Sequence, residues 1–301
     1  MAERWIADNL QSLSYEDLTH LVREVPRDPA YSGGYADVYT GKYLKDAKTE
    51  VDVAIKVLRL GSEQEENKKV TKRLIRERTV WLDLNHKNIL PFIGLIEGLG
   101  RRGCPALMSP WCSNGTITDY LLAHPEADKS QLLLGVINGL EYLHKKDVVH
   151  GDLKPANILI SDEGVALLCD FGRSLLTTHR GFTTRPSGTA RYQAPELFNE
   201  GVKHTKSSDI YGLGMTCSEI WTGLKPYSLF QNDASIILHV TKTKARPPRP
   251  DTICAKTNGL WDVFDQCWAT IPEERLETSQ AADSLRRVLL LNQEVLPVNQ
   301  N

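Results

Sequence analysis

The order of apolar and polar positions divides the chain into a strand-rich part followed by a helix-rich part. Residues 38–43 and 51–58 are rich in β-branched and aromatic side chains and have polar residues between them, which is typical of neighbouring strands. Residues 106–109 predict a further strand, and a helix is predicted over about residues 68–84. The first part of the chain therefore predicts a sheet with one long helix.

From residue 116 onward the spacing of apolar positions becomes that of helices. Residues 157–168 interrupt this pattern and predict a β-hairpin with a polar turn at 161–164. Residues 207–223 and 255–291 are again predicted to be helical. The apolar positions that predict one buried helix are Leu132, Leu133, Val136, Ile137, Leu140 and Leu143. Strands first and helices afterwards predict an α+β fold, with a connector near residues 110–115.

The first 25 residues predict a helical extension. Ser14 and Asp17 have the spacing of a capping box. We expect the helix to pack on the outside of the domain, and the alternative is a helix that binds a partner. The apolar residues that follow at helical intervals are Leu18, Leu21, Val22 and Val25.

Composition and charge narrow the class of protein. The net charge of −2 argues against a nucleic-acid partner, since a binder of nucleic acid is usually strongly basic. The six cysteines show neither C-x-x-C nor zinc-site spacing, which favours a reducing compartment. No signal peptide or membrane span is evident. We expect a soluble cytoplasmic protein, and the sequence gives no sign of its oligomeric state.

Residues 150–157 concentrate polar chemistry between two apolar runs. Asp152, Lys154 and Asn157 lie within this short loop, and Asp170 follows thirteen residues after Asn157. Phosphoryl transfer needs a carboxylate that orients a hydroxyl and a cation on the moving phosphate. It also needs an amide and a second carboxylate that hold Mg²⁺. The segment therefore predicts phosphoryl transfer.

Lys56 ends the dense apolar run 53–55. A strand this apolar is buried on at least one face, so the ammonium group of Lys56 needs a partner. The predicted helix over 68–84 offers Glu77 on the stripe that should meet the sheet, and we predict a pair between the two side chains. The alternative places Lys56 at a strand edge and lets Glu77 bond Arg73. The other members of the stripe are Val70, Leu74 and Trp81.

The segment 31–38 carries two adjacent glycines between strand-like pieces. Glycine lets a turn bring backbone N–H groups close to phosphate oxygens, although an ordinary hairpin turn is the simpler alternative. Its position ahead of Lys56 favours a phosphate loop. The segment reads Tyr31, Ser32, Gly33, Gly34, Tyr35, Ala36, Asp37 and Val38.

Together these motifs resemble the protein kinase family over nearly the whole chain, and they occur in the order of that family. The resemblance implies a bilobal fold. We expect a β-rich N-lobe at about 26–111, an α-helical C-lobe at about 113–292 and a tail at 293–301. Further motifs in family order are Gly188-Thr189 with Ala194-Pro195-Glu196, Asp209 with Gly214, and Cys267-Trp268 with Arg275. Glu196 and Arg275 fall where the family has a structural ion pair.

The resemblance also implies ATP and Mg²⁺ as cofactors and a role for each site residue. Asp152 orients the substrate hydroxyl and accepts its proton, and Lys154 contacts the γ-phosphate. Asn157 and Asp170 hold Mg²⁺. The residues expected at the nucleotide are Ser32, Gly33, Gly34, Tyr35, Ala36, Val38, Ala54, Lys56 with its partner Glu77, the gatekeeper Ser109, and Trp111 and Cys112 of the hinge.

Two motifs indicate the substrate. Residues 153–155 resemble serine/threonine kinases, and residues 267–268 resemble tyrosine kinases and the tyrosine-kinase-like group. We therefore expect a serine/threonine kinase of the tyrosine-kinase-like group, with a protein substrate. A pseudokinase scaffold is one alternative, because Tyr31 and Ala36 replace loop glycines. A small-molecule phosphotransferase is the other, because such enzymes share the sequence of residues 150–152.

Gly151 stands where the family usually has an arginine that pairs with a phosphorylated activation loop. Without that arginine the loop phosphate loses a main receiver. We predict that treatment with a protein phosphatase leaves most of the activity intact, as measured by phosphate transfer before and after treatment. Loss of activity on dephosphorylation would contradict this interpretation.

Overall fold

The chain forms two compact units, Met1–Ser113 and Asn114–Asn301. Strands dominate the first unit and helices the second, so the predicted α+β fold is confirmed. The finer domain limits remain predictions. The computed structural model describes residues 15–33, 36–59, 64–99, 105–176, 190–249 and 258–294.

An antiparallel sheet forms the centre of the first unit. Its strands run in the order β1-β3-β4-β6-β5. Strand β2 pairs with the same edge of β3 as β1 does, at the other end of β3. The single helix described in this unit, α1, spans Gln64–Leu82 and confirms the helix predicted there. The strands are β1 (Val22–Arg23), β2 (Tyr31–Ser32), β3 (Ala36–Leu44), β4 (Glu50–Leu58), β5 (Gly94–Ile96) and β6 (Ala106–Pro110).

Alternation along β4 decides which of its side chains enter the core. Val53 and Ile55 are fully buried and pack with Met108 of β6, whereas Lys56 lies on the opposite face. Lys56 is in register with Val38 on β3 and Leu107 on β6. The strand therefore fixes Lys56 in the middle of the sheet.

The predicted helix over residues 1–25 is wrong for the described part of that segment. Only Thr19–Leu21 forms a short 3₁₀ turn, and the chain then enters strand β1. The Asp17 carboxylate accepts a hydrogen bond from the amide of Thr19, and the amide of Leu18 donates to the Leu95 carbonyl oxygen at 3.0 Å. These bonds compete with helical ones. Ser14, the other capping-box residue, lies outside the described residues.

The apolar residues of this segment still face the core. Leu18 is buried in the cluster that includes Val53 and Ile55, and a Cβ on Gly94 would lie 2.5 Å from Leu18 Cδ1. The absence of a side chain at Gly94 therefore makes room for Leu18. Leu21, Val22 and Val25 pack against the same cluster.

Helices and two short strand pairs build the second unit. Helix α3 buries all six apolar positions predicted for it, and β8 and β9 form the predicted hairpin. The predicted helical stretch 255–291 is interrupted, because Pro272 begins a 3₁₀ turn between α6 and α7. The helices are α2 (Ile117–Ala123), α3 (Lys129–Lys145), α4 (Lys206–Thr222), α5 (Asp233–Thr243), α6 (Asn258–Cys267) and α7 (Thr278–Glu294). The strands are β7 (Val148–Val149), β8 (Ile158–Ile160), β9 (Ala166–Leu168) and β10 (Leu175–Leu176), and β7 pairs with β10.

Among the described residues, none of the helices combines the length and the apolar character needed to cross a lipid bilayer.

The packing of Leu18 predicts a large stability effect in the first unit. Leu18→Ala should lower the free energy of unfolding by about 2–4 kcal/mol, because it removes buried apolar contacts and leaves a cavity. Leu82→Ala serves as the control, since Leu82 is 53% exposed and should change stability by less than about 0.5 kcal/mol. Urea-induced unfolding measures both variants, and equal effects would contradict the packing described for Leu18.

Candidate active site

Strand β4 and helix α1 bring Lys56 and Glu77 together in the first unit. The Lys56 ammonium lies 2.6 Å from Glu77 Oε1, and Glu77 is fully buried. The predicted pair is therefore present, because the helical stripe aims the carboxylate at the sheet. Burial of the acid makes this contact strong, since an unpaired charge there would be costly.

The glycine segment, residues 31–38, contains strand β2 and the start of strand β3, which pair with each other. Ser32 lies opposite Asp37, and the amide of Gly33 donates to the carbonyl oxygen of Ala36 at 2.9 Å. Gly34 and Tyr35 lie outside the described residues. The chain therefore turns back on itself here, as the sequence predicts, and Tyr31 is exposed at its start.

Arg59 fixes this segment in a way that the sequence analysis missed. Its guanidinium donates to both carboxylate oxygens of Asp37, at 2.8 and 2.6 Å, and the hydroxyl of Ser32 donates to Asp37 at 2.7 Å. The hydrogen bonds from Arg59 and then from Ser32 lower the pKa of Asp37 to about 2. Arg59 directly follows β4, and register with β3 was the signal that could have revealed the pair.

The other residues expected at the nucleotide also lie in the first unit. Ala54 on β4 is paired with the buried Ser109 on β6. The amide of Trp111 donates to the carbonyl oxygen of Asp52 at 3.0 Å, and Cys112 is buried. The structure therefore places the predicted gatekeeper and hinge residues at the end of β6.

The loop over residues 150–157 in the second unit brings two of the predicted residues to the carboxylate of a third. Asp152 Oδ2 accepts hydrogen bonds from the Lys154 ammonium at 2.8 Å and from Asn157 Nδ2 at 3.1 Å. Asn157 Nδ2 also donates to the carbonyl oxygen of Asp152 at 2.8 Å. The short loop therefore holds the predicted base, cation and amide in contact with one another.

Asp170 occupies the turn that follows β9. Its backbone is left-handed, with φ of 62°, and a 3₁₀ turn over Phe171–Arg173 comes next. Phe171 is fully buried beside the ring of His150. The Asn157 amide nitrogen faces Asp152, so its oxygen is the group left for a cation, and Asp170 adds a carboxylate. Amide and carboxylate oxygens fit Mg²⁺.

Asp209 of helix α4 holds the start of the 150–157 loop by hydrogen bonds. Its carboxylate accepts hydrogen bonds from the amides of His150 at 2.7 Å and Gly151 at 2.9 Å, and from His144 Nε2 at 2.9 Å. Burial raises the pKa of Asp209, but these hydrogen bonds and the nearby histidines outweigh it and leave the pKa below its usual value. The sequence analysis noted Asp209 as a family motif without assigning it this role.

Gly151 adopts a left-handed backbone conformation that favours glycine. Its φ is 77°, and a Cβ there would lie 3.0 Å from the carbonyl oxygen of Arg173. A larger residue at position 151 would therefore be strained twice, by its φ and by this contact. The expected ion pair of Glu196 and Arg275 is also present, with two hydrogen bonds of 2.7 Å.

The protein kinase domain family matches residues 32–285, so the chain belongs to the protein kinase family. The predicted membership of the family is confirmed.

Relatives among characterised proteins agree with this assignment. The chain is 27% identical to serine/threonine-protein kinase STY17 of Arabidopsis thaliana, over 85% of the chain and 43% of that protein. It is 28% identical to serine/threonine/tyrosine-protein kinase HT1 of the same plant, over 89% and 67%. It is 28% identical to receptor-interacting serine/threonine-protein kinase 3 of Rattus norvegicus, over 87% and 55%. The chain spans about half the length of two of these relatives. It is similar to kinases of the tyrosine-kinase-like group.

The geometry of Gly151 predicts that a side chain at this position lowers the stability of the fold. Comparison with Gly201, which has a similar φ, separates the cost of backbone strain from the cost of the contact with Arg173. Gly151→Ala should cost about 2–3 kcal/mol, from backbone strain and from the close contact with Arg173. Gly201 has φ of 78° with nothing within 4 Å of its Cβ position, so Gly201→Ala should cost only about 1 kcal/mol. Thermal or urea unfolding compares the two, and equal losses would show that the Arg173 contact is immaterial.

Proposed function

We propose that the chain is an active protein serine/threonine kinase that uses ATP and Mg²⁺. The single observation that carries the proposal is the Asp152 carboxylate with Lys154 and Asn157 bonded to the same oxygen. This arrangement supports a base, a phosphate-binding cation and a metal ligand acting at one position.

Each residue then has one task in the transfer. Asp152 orients the serine or threonine hydroxyl and accepts its proton as the oxygen bonds to the γ-phosphorus. The bond from that phosphorus to the β-phosphate oxygen breaks, and ADP leaves. Lys154 contacts the transferred group, while Lys56, held by Glu77, binds the α- and β-phosphates. Asn157 and Asp170 would hold Mg²⁺, which would supply positive charge to the phosphates.

Two observations support a protein hydroxyl as the acceptor. Lys154 stands in the position where serine/threonine kinases have a lysine, as the resemblance implies. The Glu196–Arg275 pair secures the segment after Ala194, which in the family belongs to the peptide-docking region. The first feature favours serine or threonine over tyrosine as the acceptor, and the second favours a protein over a small alcohol.

A pseudokinase scaffold is the second candidate, and the altered glycine segment favours it. Tyr31 and Ala36 replace two glycines of the family pattern. The segment nevertheless keeps its strand pairing and is fixed through Asp37 by Arg59. The complete set of polar residues in the catalytic loop favours turnover.

Phosphate transfer from ATP to a generic basic protein tests the proposal. Asp152→Asn should lower transfer at least about 100-fold without loss of ATP binding, because the base is removed and the fold is kept. Lys56→Met and Asp170→Ala should each remove activity as well. Asp233→Asn is the matched control, since this aspartate is exposed in the first turn of α5.

The products separate the candidates. Phosphoserine or phosphothreonine in the acceptor protein supports the proposal. ATP binding without any transfer by the unmodified chain would identify a pseudokinase, and transfer to small alcohols alone would identify the other phosphotransferase class.

A further inference from the structure

Arg173 lies directly after the Asp170-Phe171-Gly172 turn and returns to the catalytic loop. Its guanidinium NH1 lies 3.3 Å from Asp152 Oδ1. Its side chain is only 6% exposed, and that of Asp152 is 11% exposed. We propose that Arg173 is a positioning residue that holds the catalytic carboxylate in place. The inference deepens the proposed kinase function and rests on it.

The two oxygens of Asp152 are held by different segments of the chain. Oδ2 accepts from Lys154 and Asn157, which belong to the same loop as Asp152 itself. Oδ1 accepts from Arg173, which belongs to the following turn. Rotation about the Cβ–Cγ bond of Asp152 moves both oxygens, so the donor on Oδ1 opposes this rotation together with the donors on Oδ2. Arg173 therefore helps to set the direction in which the base faces the hydroxyl.

Arg173 can still donate its hydrogen bond to Asp152 when Lys154 contacts the γ-phosphate. The proposed function takes the Lys154 ammonium to the γ-phosphate, which weakens its bond to Asp152. Arg173 is buried and belongs to a different segment of the chain, so its contact with Asp152 does not depend on Lys154. Burial also makes the pairing necessary, because an uncompensated guanidinium is costly away from water.

The geometry of Gly151 ties it to the position of Arg173. The carbonyl oxygen of Arg173 lies 3.0 Å from where a Cβ of residue 151 would begin. An added side chain at 151 would therefore displace the backbone of Arg173 and with it the start of the side chain that reaches Asp152. Burial lowers the pKa of the neighbouring His204 and favours its neutral form.

Steady-state kinetics of Arg173 variants test the role. Arg173→Leu should lower kcat about 10–100-fold and leave the KM for ATP within about a factor of two, because positioning acts in the transition state. Arg173→Lys should restore most of the lost kcat, since one N–H group makes the contact. Arg286→Leu is the control, because Arg286 pairs with Glu141 at 2.6 Å on helices outside the loop. Unchanged kcat in Arg173→Leu, or a faster enzyme, would overturn the proposal.

A double-mutant cycle tests the contact without any turnover. Arg173→Leu should lower the Tm by about 2–4 °C in the unmodified chain and by less in an Asp152→Ala background, because the partner is then absent. Equal shifts in both backgrounds would refute the tether. If the unmodified chain transfers no phosphate, the proposed function fails, and this cycle still decides whether Arg173 holds Asp152.

Discussion

The 150–157 loop depends on the hydrogen bonds that the buried carboxylate of Asp209 accepts. This carboxylate is 3% exposed, and it binds the backbone amides of two successive loop residues together with a histidine of helix α3. Amides buried in this way need acceptors, and a charged acceptor forms shorter and stronger bonds than a neutral one. Because the amides of His150 and Gly151 are fixed from α4, the next residue, Asp152, begins from a defined position.

The same loop is connected to the turn that carries Asp170. The hydroxyl of Ser174 donates to the carbonyl oxygen of His150 at 3.0 Å, and His150 Nε2 contacts the carbonyl oxygen of Cys169 at 3.1 Å. Strand β10 then pairs with β7, which leads into the loop. The segments that carry the predicted base and metal ligands are thus joined by side-chain and backbone hydrogen bonds.

Local patterns were sufficient for the parts of the fold and site that depend on neighbouring residues. The Lys56–Glu77 pair follows from strand alternation and helical spacing, and the contacts of Asp152 with Lys154 and Asn157 follow from a loop of a few residues. The helix predicted over residues 1–25 was wrong in its described part because helical spacing of apolar residues also suits a chain wrapped around a sheet. Only Gly94, far along the sequence, reveals which of the two occurs. Arg59 and Arg173 were missed because their partners are set by strand register and by a turn.

Leu18 belongs to the packed core of the first unit, although it lies before the residues that match the family. The family match begins at residue 32, yet Leu18 fills the space above Gly94, and Tyr15 donates a hydrogen bond to Glu97 at 2.7 Å. A fragment cut at the family boundary would lose the edge strand β1 and open the hydrophobic core to water. The hydrophobic core of the first unit therefore includes residues that the family match does not cover.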